Sequence, residues 1–122
     1  MQHNVDFLKL VEDCRPFVKE ISVAEVKTKL DKSEQFSLID VREDHEWTQG
    51  RIPTATHMAR GLIERDIEQA IPNKTTPIVL YCAGGFRSVL AAYNLQKMGY
   101  TNVFSMEEGI RGWINLGYKL IM

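Results

Sequence analysis

The sequence predicts an α/β protein of three layers, in which helices cover both faces of a central, mainly parallel sheet. Short runs of apolar and β-branched residues alternate along the chain with segments whose apolar residues recur at helical spacing. Strands that are separated by single helices generally pair in parallel, and a parallel sheet is covered on both faces. The clearest such strand is Pro77–Tyr81, PIVLY, which precedes two glycines and a helical pattern.

The composition is that of one globular domain and argues against several other classes of protein. The chain has 122 residues, of which 44% are hydrophobic and 25% charged, unlike disordered or fibrous chains. Fifteen Lys and Arg against 16 Asp and Glu give a net charge of -1, so we expect no nucleic-acid partner. The longest unbroken apolar run, residues 78–83, is far shorter than the about 20 residues of a spanning helix, so we expect no membrane partner.

The cysteines and histidines are few and widely separated. Cys14 and Cys82 are too few for a disulfide framework or a cysteine-based zinc site, and the histidines lack metal-ligand spacing. The first residues lack the basic start and apolar stretch of a secretory signal. We therefore expect a cytoplasmic protein, a monomer or a homodimer, that contains no metal and no other cofactor.

In the first half of the chain, the pattern predicts helices over residues 5–15 and 22–30 and strands over 18–21 and 36–41. Pro16 ends the first helix, and Ser22 with Glu25 three residues later forms a capping box for the second. The run FSLIDV, residues 36–41, suits a buried strand. Short helical turns over 43–49, a strand over 55–59 and an amphipathic helix over 62–71 follow.

In the second half, the pattern predicts a strand over 77–81, a helix over 88–98 and a strand over 102–104. Gly99 is placed to end the helix. Ser105 with Glu108 predicts a second capping box, in front of a last helix. We expect residues 1–17 to form an N-terminal helical extension and residues 18–122 to form the domain itself.

Cys82 lies at the end of the predicted strand, where open α/β sheets bind their ligands. The adjacent Gly84 and Gly85 let the backbone turn tightly and direct its N–H groups inward. The helix that follows adds the positive end of its dipole, and Arg87 adds a permanent cation. Because such a loop favours the thiolate, we interpret Cys82 as a nucleophile rather than as a small buried apolar side chain.

The segment Cys82-Ala-Gly-Gly-Phe-Arg-Ser88 resembles the active-site loop of the single-domain rhodaneses. Three other segments agree with that family in order and spacing, namely Asp-Val-Arg-Glu at 40–43, Gly-Arg-Ile-Pro at 50–53, and Glu-Gly…Gly-Trp…Gly at 108–117. The resemblance spans about residues 18 to 118. Arg51, Thr54 and Glu108 depart from it, because the family pattern has a histidine at the first position and glycines at the other two.

The resemblance implies a rhodanese-like fold and a thiosulfate sulfurtransferase that transfers sulfur through a persulfide on Cys82. It implies a small-molecule donor (thiosulfate, a persulfide or a polysulfide) and a thiol, cyanide or protein as the acceptor. Asp40 and Arg42 are expected to support the site through mutual or backbone hydrogen bonds. The residues expected to bind the donor are those of the loop, with Arg87 at the anionic end: Ala83, Gly84, Gly85, Phe86, Arg87 and Ser88.

Two other functions remain open. Phosphatases and arsenate reductases of the cell-cycle phosphatase type share the fold, but their pattern has five residues between cysteine and arginine, whereas Cys82 and Arg87 are separated by four. The shorter loop makes a smaller cradle, which suits a sulfur atom better than a tetrahedral phosphate. Rhodanese-like domains also serve as non-catalytic binding or regulatory modules, and loss of the cysteine is the usual sign of that role. Cys82 is present here.

Overall fold

Five strands form the central sheet of the computed structural model, which describes residues 3–122. They are β1 (Lys19–Ile21), β2 (Ser37–Asp40), β3 (Thr56–His57), β4 (Ile78–Tyr81) and β5 (Val103–Met106). Their order across the sheet is β1-β5-β4-β2-β3, and all four neighbouring pairs are parallel. The prediction of an α/β fold around a parallel sheet is confirmed.

Within residues 3–122, six α-helices connect and cover the strands: α1 (Val5–Cys14), α2 (Val23–Asp31), α3 (Asp44–Thr48), α4 (Ile63–Ala70), α5 (Arg87–Lys97) and α6 (Gly109–Asn115). A 3-10 turn, Arg15–Phe17, follows α1. At the start of α2 the predicted capping box is present, since Ser22 Oγ accepts from the Glu25 N–H at 3.1 Å and the Glu25 carboxylate accepts from the Ser22 N–H. Among residues 3–122, each helix is too short or too polar to cross a membrane.

Two hydrophobic clusters lie on opposite faces of the sheet. In β4, Ile78 and Leu80 contribute to the cluster that contains buried residues of α1, α4 and α5. Val79 and Tyr81 contribute to the cluster under α2 and α6. Successive side chains of a strand point to opposite faces, so the residue that follows Tyr81 returns to the first face. Cys82 accordingly lies on the side of α5.

The N-terminal helix packs against the rest of the molecule. Val11 and Cys14 of α1 are buried in the same cluster as Val89 and Ala92 of α5. Cys14 is therefore a buried thiol, as its place on an apolar helix face predicts. The division between an extension over 1–17 and a domain over 18–122 stays a prediction, but residues 3–17 share a core with the sheet.

The second predicted capping box is wrong. Ser105 lies within β5, which continues to Met106, and its buried hydroxyl bonds to Ser88. Helix α6 begins at Gly109, and Glu108 precedes it with a left-handed φ of 64° and no side-chain cap. The Ser-x-x-Glu spacing is present in both segments, but only the first is followed at once by helical backbone. A strand that runs past the serine prevents its hydroxyl from reaching the helix start.

Candidate active site

Cys82 follows the last residue of β4, at the carboxyl end of the central strand of the sheet. Its side chain is 1% exposed. The Gly85 N–H donates to Cys82 Sγ at 3.2 Å, and Ser88 Oγ lies 3.5 Å from the same sulfur. A backbone donor at this distance stabilises negative charge on sulfur. The loop and the start of α5 therefore form a polar cradle around a buried thiol.

The start of α6 holds the peptide groups of the cysteine loop in place. The Ile110 N–H donates to the Cys82 carbonyl at 2.9 Å, and the Arg111 N–H donates to the Ala83 carbonyl at 3.1 Å. Both carbonyl oxygens therefore point toward the start of α6. Gly85 has a φ of +92°, and a β-carbon there would lie 3.0 Å from the Glu108 nitrogen. A glycine is thus needed both for the turn and for the close approach of the two segments.

Two buried serines continue the polar contacts of the sulfur into the interior. Ser88 Oγ lies 2.7 Å from Ser105 Oγ, and both residues are fully buried. When the sulfur is ionised, Ser88 can donate to it while accepting from Ser105. The sequence predicts Ser105 as a helix cap and not as a site residue. The available signal is its position directly after the predicted strand over 102–104, where ligands bind in such sheets.

Arg87 is paired with Glu46. Its Nη1 and Nη2 donate to the two carboxylate oxygens at 2.7 and 3.0 Å. The Arg87 hydrogen bonds lower the pKa of Glu46 to about 2; partial burial opposes the shift, and the Glu43 N–H supports it. The same pair raises the pKa of Arg87. Both terminal nitrogens of the predicted donor-binding cation are engaged by an anion of the chain itself.

Replacing Glu46 by glutamine is expected to lower the free energy of unfolding by about 2 kcal/mol at neutral pH, because a charge-assisted pair is lost. A carboxylate with a depressed folded-state pKa stabilises above its ordinary value of 4.5, and that contribution disappears as the pH falls through about 2. The difference between wild type and Glu46→Gln in urea unfolding should therefore shrink over this interval. Glu12→Gln, at an exposed ion pair, is the matched control; an equal loss there would contradict the prediction.

Asp40 and Arg42 form a buried ion pair beside the site. The Asp40 carboxylate accepts from the Arg42 backbone N–H at 2.8 Å and from Nε and Nη2 of its guanidinium. Arg42 Nη2 also donates to the Gly50 carbonyl at 2.6 Å, and the Arg42 carbonyl lies 2.7 Å from His57 Nε2. These contacts join the end of β2 to the segments after α3 and at β3. They are the contacts that a supporting role would require.

A cavity of about 500 Å³ opens over the cysteine loop. Five of the predicted site residues line it: Cys82, Ala83, Gly84, Phe86 and Arg87. Gly85 and Ser88 contact the sulfur from its buried side. Six further lining residues come from other parts of the chain: His3, Phe7, Glu43, His45, Glu46 and Arg111. The sequence does not predict these six residues as part of the site, because no local motif joins them to the cysteine loop.

Within residues 3–122, no three His, Cys, Asp or Glu side chains lie close enough together to hold a metal ion. The groups that the site does present are a thiol, backbone donors and paired side-chain charges. Such groups can perform nucleophilic chemistry at sulfur.

A parallel sheet with a cysteine loop at the end of its central strand, joined to an arginine-bearing helix, defines a class of protein. The model of the rhodanese-like domain family matches residues 22–116, and the chain belongs to that family.

Two relatives are similar to the chain in sequence, and one solved structure shares its fold. The chain is 38% identical over 96 residues to the "Putative sulfurtransferase YtwF" of Bacillus subtilis, covering 79% of this chain and 90% of that protein. It is 32% identical to the "Putative sulfur carrier protein YrkF" of B. subtilis, again over 79% of this chain but about half (51%) of the relative. A solved protein of unknown function from Rhodopseudomonas palustris CGA009, RPA3614, described as a possible tyrosine phosphatase, superposes with a TM-score of 0.83 at 24% identity, covering 99% of both chains. That last likeness shows the fold alone.

Proposed function

We propose that the protein is a thiosulfate sulfurtransferase of the rhodanese type, which carries a sulfane sulfur as a persulfide on Cys82. One observation carries the proposal: Cys82 lines a cavity, and its sulfur receives a backbone hydrogen bond from Gly85 at 3.2 Å. The names of the relatives, a sulfurtransferase and a sulfur carrier, support the same chemistry. Because the nucleophile is a free thiol, the proposal includes a reducing compartment, the cytoplasm.

In the first half-reaction, the Cys82 thiolate attacks the outer sulfur of the donor. A new bond forms between Cys82 Sγ and that sulfur, while the bond to the inner atom of the donor breaks. The electron pair leaves with the released group, which is sulfite when the donor is thiosulfate. The Gly85 N–H donates to Cys82 Sγ and stabilises the negative charge of the attacking thiolate, and after the transfer that charge lies on the outer sulfur of the persulfide.

In the second half-reaction, a nucleophilic acceptor such as a thiolate or cyanide attacks the terminal sulfur of the persulfide. The bond between the two sulfurs breaks, and its electron pair returns to Cys82 as the thiolate. The cycle needs no external oxidant or reductant, and donor and acceptor react in turn at one residue. A protein thiol can also be the acceptor if it reaches the mouth of the cavity.

The two alternative functions fit the site less well. A phosphatase or arsenate reductase would need an arginine free to clasp a tetrahedral oxyanion, whereas both terminal nitrogens of Arg87 are bonded to Glu46. A binding module would not need the cysteine, whose sulfur here has a dedicated backbone donor.

The test is intact mass spectrometry of the reduced protein after exposure to thiosulfate, and again after addition of cyanide. We expect Cys82 to gain the mass of one sulfur and cyanide to discharge it as thiocyanate. Cys82→Ser should gain none, and Cys14→Ser is the matched control that should load like the wild type. Loading that persists in Cys82→Ser, or no loading from thiosulfate or a polysulfide, would overturn the proposal. Turnover of an aryl phosphate would then favour the phosphatase.

A further inference from the structure

The cavity at Cys82 is larger than a small inorganic donor requires. Its volume of about 500 Å³ lies in the range of about 300–1,000 Å³ that is usual for pockets holding organic ligands. Thiosulfate would occupy a small part of this space. The size of the cavity therefore raises the question of what fills the rest of it when a donor transfers sulfur to Cys82.

One wall of the cavity is aromatic and comes partly from the N-terminal segment. The His3 ring centroid lies 4.7 Å from that of Phe86, in the cysteine loop, and 5.1 Å from that of Phe7, in α1. Phe7 and Phe86 are themselves 6.2 Å apart. His3 and Phe7 lie outside the family match over 22–116. This chain thus adds an apolar surface, suited to the carbon skeleton of a ligand, next to its reactive sulfur.

The cavity is lined by one ion pair and by two further charged side chains, those of Arg111 and Glu43. Arg87 is paired with Glu46, so the two together contribute little net charge. In the part of the chain that the structure describes, Arg111 has no carboxylate within 4 Å of its guanidinium. A β-carbon added to Gly84 would lie 3.3 Å from Arg111 Nη1, which places the guanidinium directly over the cysteine loop. Glu43, at the start of α3, is the remaining carboxylate of the wall.

Thiosulfate is compact and has no apolar part, so it would leave the aromatic wall uncovered. A longer donor can place a negative group at Arg111 and also reach that wall. The aromatic wall offers a surface for that body, and Cys82 lies in the same cavity. Among the residues described, an unpaired cation, an apolar wall and unfilled volume together favour a donor that has an anionic group at one end and a carbon skeleton between that group and its sulfane sulfur.

We propose that Arg111 binds a carboxylate of an organic persulfide donor, whose carbon skeleton packs on the wall formed by His3, Phe7 and Phe86. This inference rests on the proposed function and adds to it the class of donor and the residues that select it. The sulfane sulfur of such a donor passes to Cys82 as described above, and the released group is the organic thiolate.

The test is the rate of persulfide formation on Cys82, followed by rapid-quench mass spectrometry at increasing concentrations of glutathione persulfide or thiosulfate. With glutathione persulfide, Arg111→Gln should raise the half-saturating concentration about fivefold, as expected for loss of a partly exposed ion pair, and should leave the saturating rate unchanged. Arg111→Lys should restore most of the affinity. Arg65→Gln, at an exposed arginine on α4, is the matched control and should behave as wild type.

The aromatic wall is tested with Phe7→Leu, which keeps the apolar packing of α1 but removes the ring. Phe7→Leu should raise the half-saturating concentration for glutathione persulfide about twofold, because the donor loses one contact with an aromatic ring. The half-saturating concentration for thiosulfate should stay unchanged. An unchanged response of Arg111→Gln to glutathione persulfide would overturn the inference while leaving the proposed function intact. Equal effects of Phe7→Leu on both donors would also overturn it. If the wild type is loaded by neither donor, the proposed function is wrong and this inference fails with it.

Discussion

Gly109→Ala is expected to destabilise the protein by about 2–5 kcal/mol, a large part of the about 5–15 kcal/mol that stabilises a typical domain. Gly109 has a φ of +54°, where a β-carbon costs about 1–2 kcal/mol. That β-carbon would also lie 2.6 Å from the Ala83 carbonyl oxygen and closer still to that of Cys82. Relief of this overlap moves α6 away from the loop at a further cost of about 1–3 kcal/mol. Urea unfolding measures the sum.

Gly117→Ala is the matched control for Gly109→Ala. Gly117 also has a positive φ, +80°, but a β-carbon there meets nothing within 4 Å. The loss of stability in Gly117→Ala should therefore be only the backbone cost, about 1–2 kcal/mol. Gly109→Ala should in addition slow the loading of Cys82, because α6 donates the hydrogen bonds that orient the loop carbonyls. Equal losses of stability in the two variants would contradict the proposed close approach.

Asp40→Ala is expected to cost about 3–5 kcal/mol, because it leaves the Arg42 guanidinium buried without its counter-ion. Asp40 is 0% and Arg42 6% exposed. Among the contacts described, the Gly50 carbonyl would be the hydrogen-bond acceptor that remains for the Arg42 guanidinium. The free energy of unfolding of the variant should be measured in urea near neutral pH. Persulfide loading at low temperature should survive wherever the variant is folded, since neither residue lines the cavity.

Two comparisons separate the loss of the buried pair from a general effect of removing a carboxylate. Asp66→Ala removes the partner of Arg65 in an exposed ion pair and should cost less than about 1 kcal/mol. The double variant Asp40→Leu with Arg42→Met removes both charges and should recover a substantial part of the loss, because no uncompensated charge remains. Asp40→Ala would contradict the prediction if it were no more costly than Asp66→Ala.

The parts of the fold that depend on local chemistry could be predicted from the sequence. The runs FSLIDV and PIVLY became β2 and β4, although each observed strand is shorter than its apolar run. The Ser22 capping box was also local and is present. The same spacing at Ser105 gave a wrong prediction, because β5 continues past the serine to Met106 and α6 begins only at Gly109.

The candidate site was predictable only within one loop. The contacts of Cys82 Sγ with Gly85 and Ser88 join residues that are close in sequence. Their arrangement could therefore be predicted from a strand, a turn and a helix in succession. The pairing of Arg87 with Glu46 joins positions 41 residues apart, and the approach of Arg111 to Gly84 depends on how α6 docks. Neither has a signature in sequence spacing. Both are consequences of strand order, which brings distant loops to the same edge of the sheet.

The hydroxyl pair behind Cys82 bears on the exchange between the two proposed half-reactions. In that proposal, the charge on the bonded sulfur changes as Cys82 passes from thiolate to persulfide and back. Rotation of the Ser88 and Ser105 hydroxyl hydrogens can follow each change, because either oxygen of the 2.7 Å contact can donate. Side-chain rotations of this kind are fast compared with loop opening. In the proposed cycle, the hydrogen bonds around the sulfur can therefore adapt to loading and unloading by rotation of these hydroxyl groups, without displacement of their oxygen atoms.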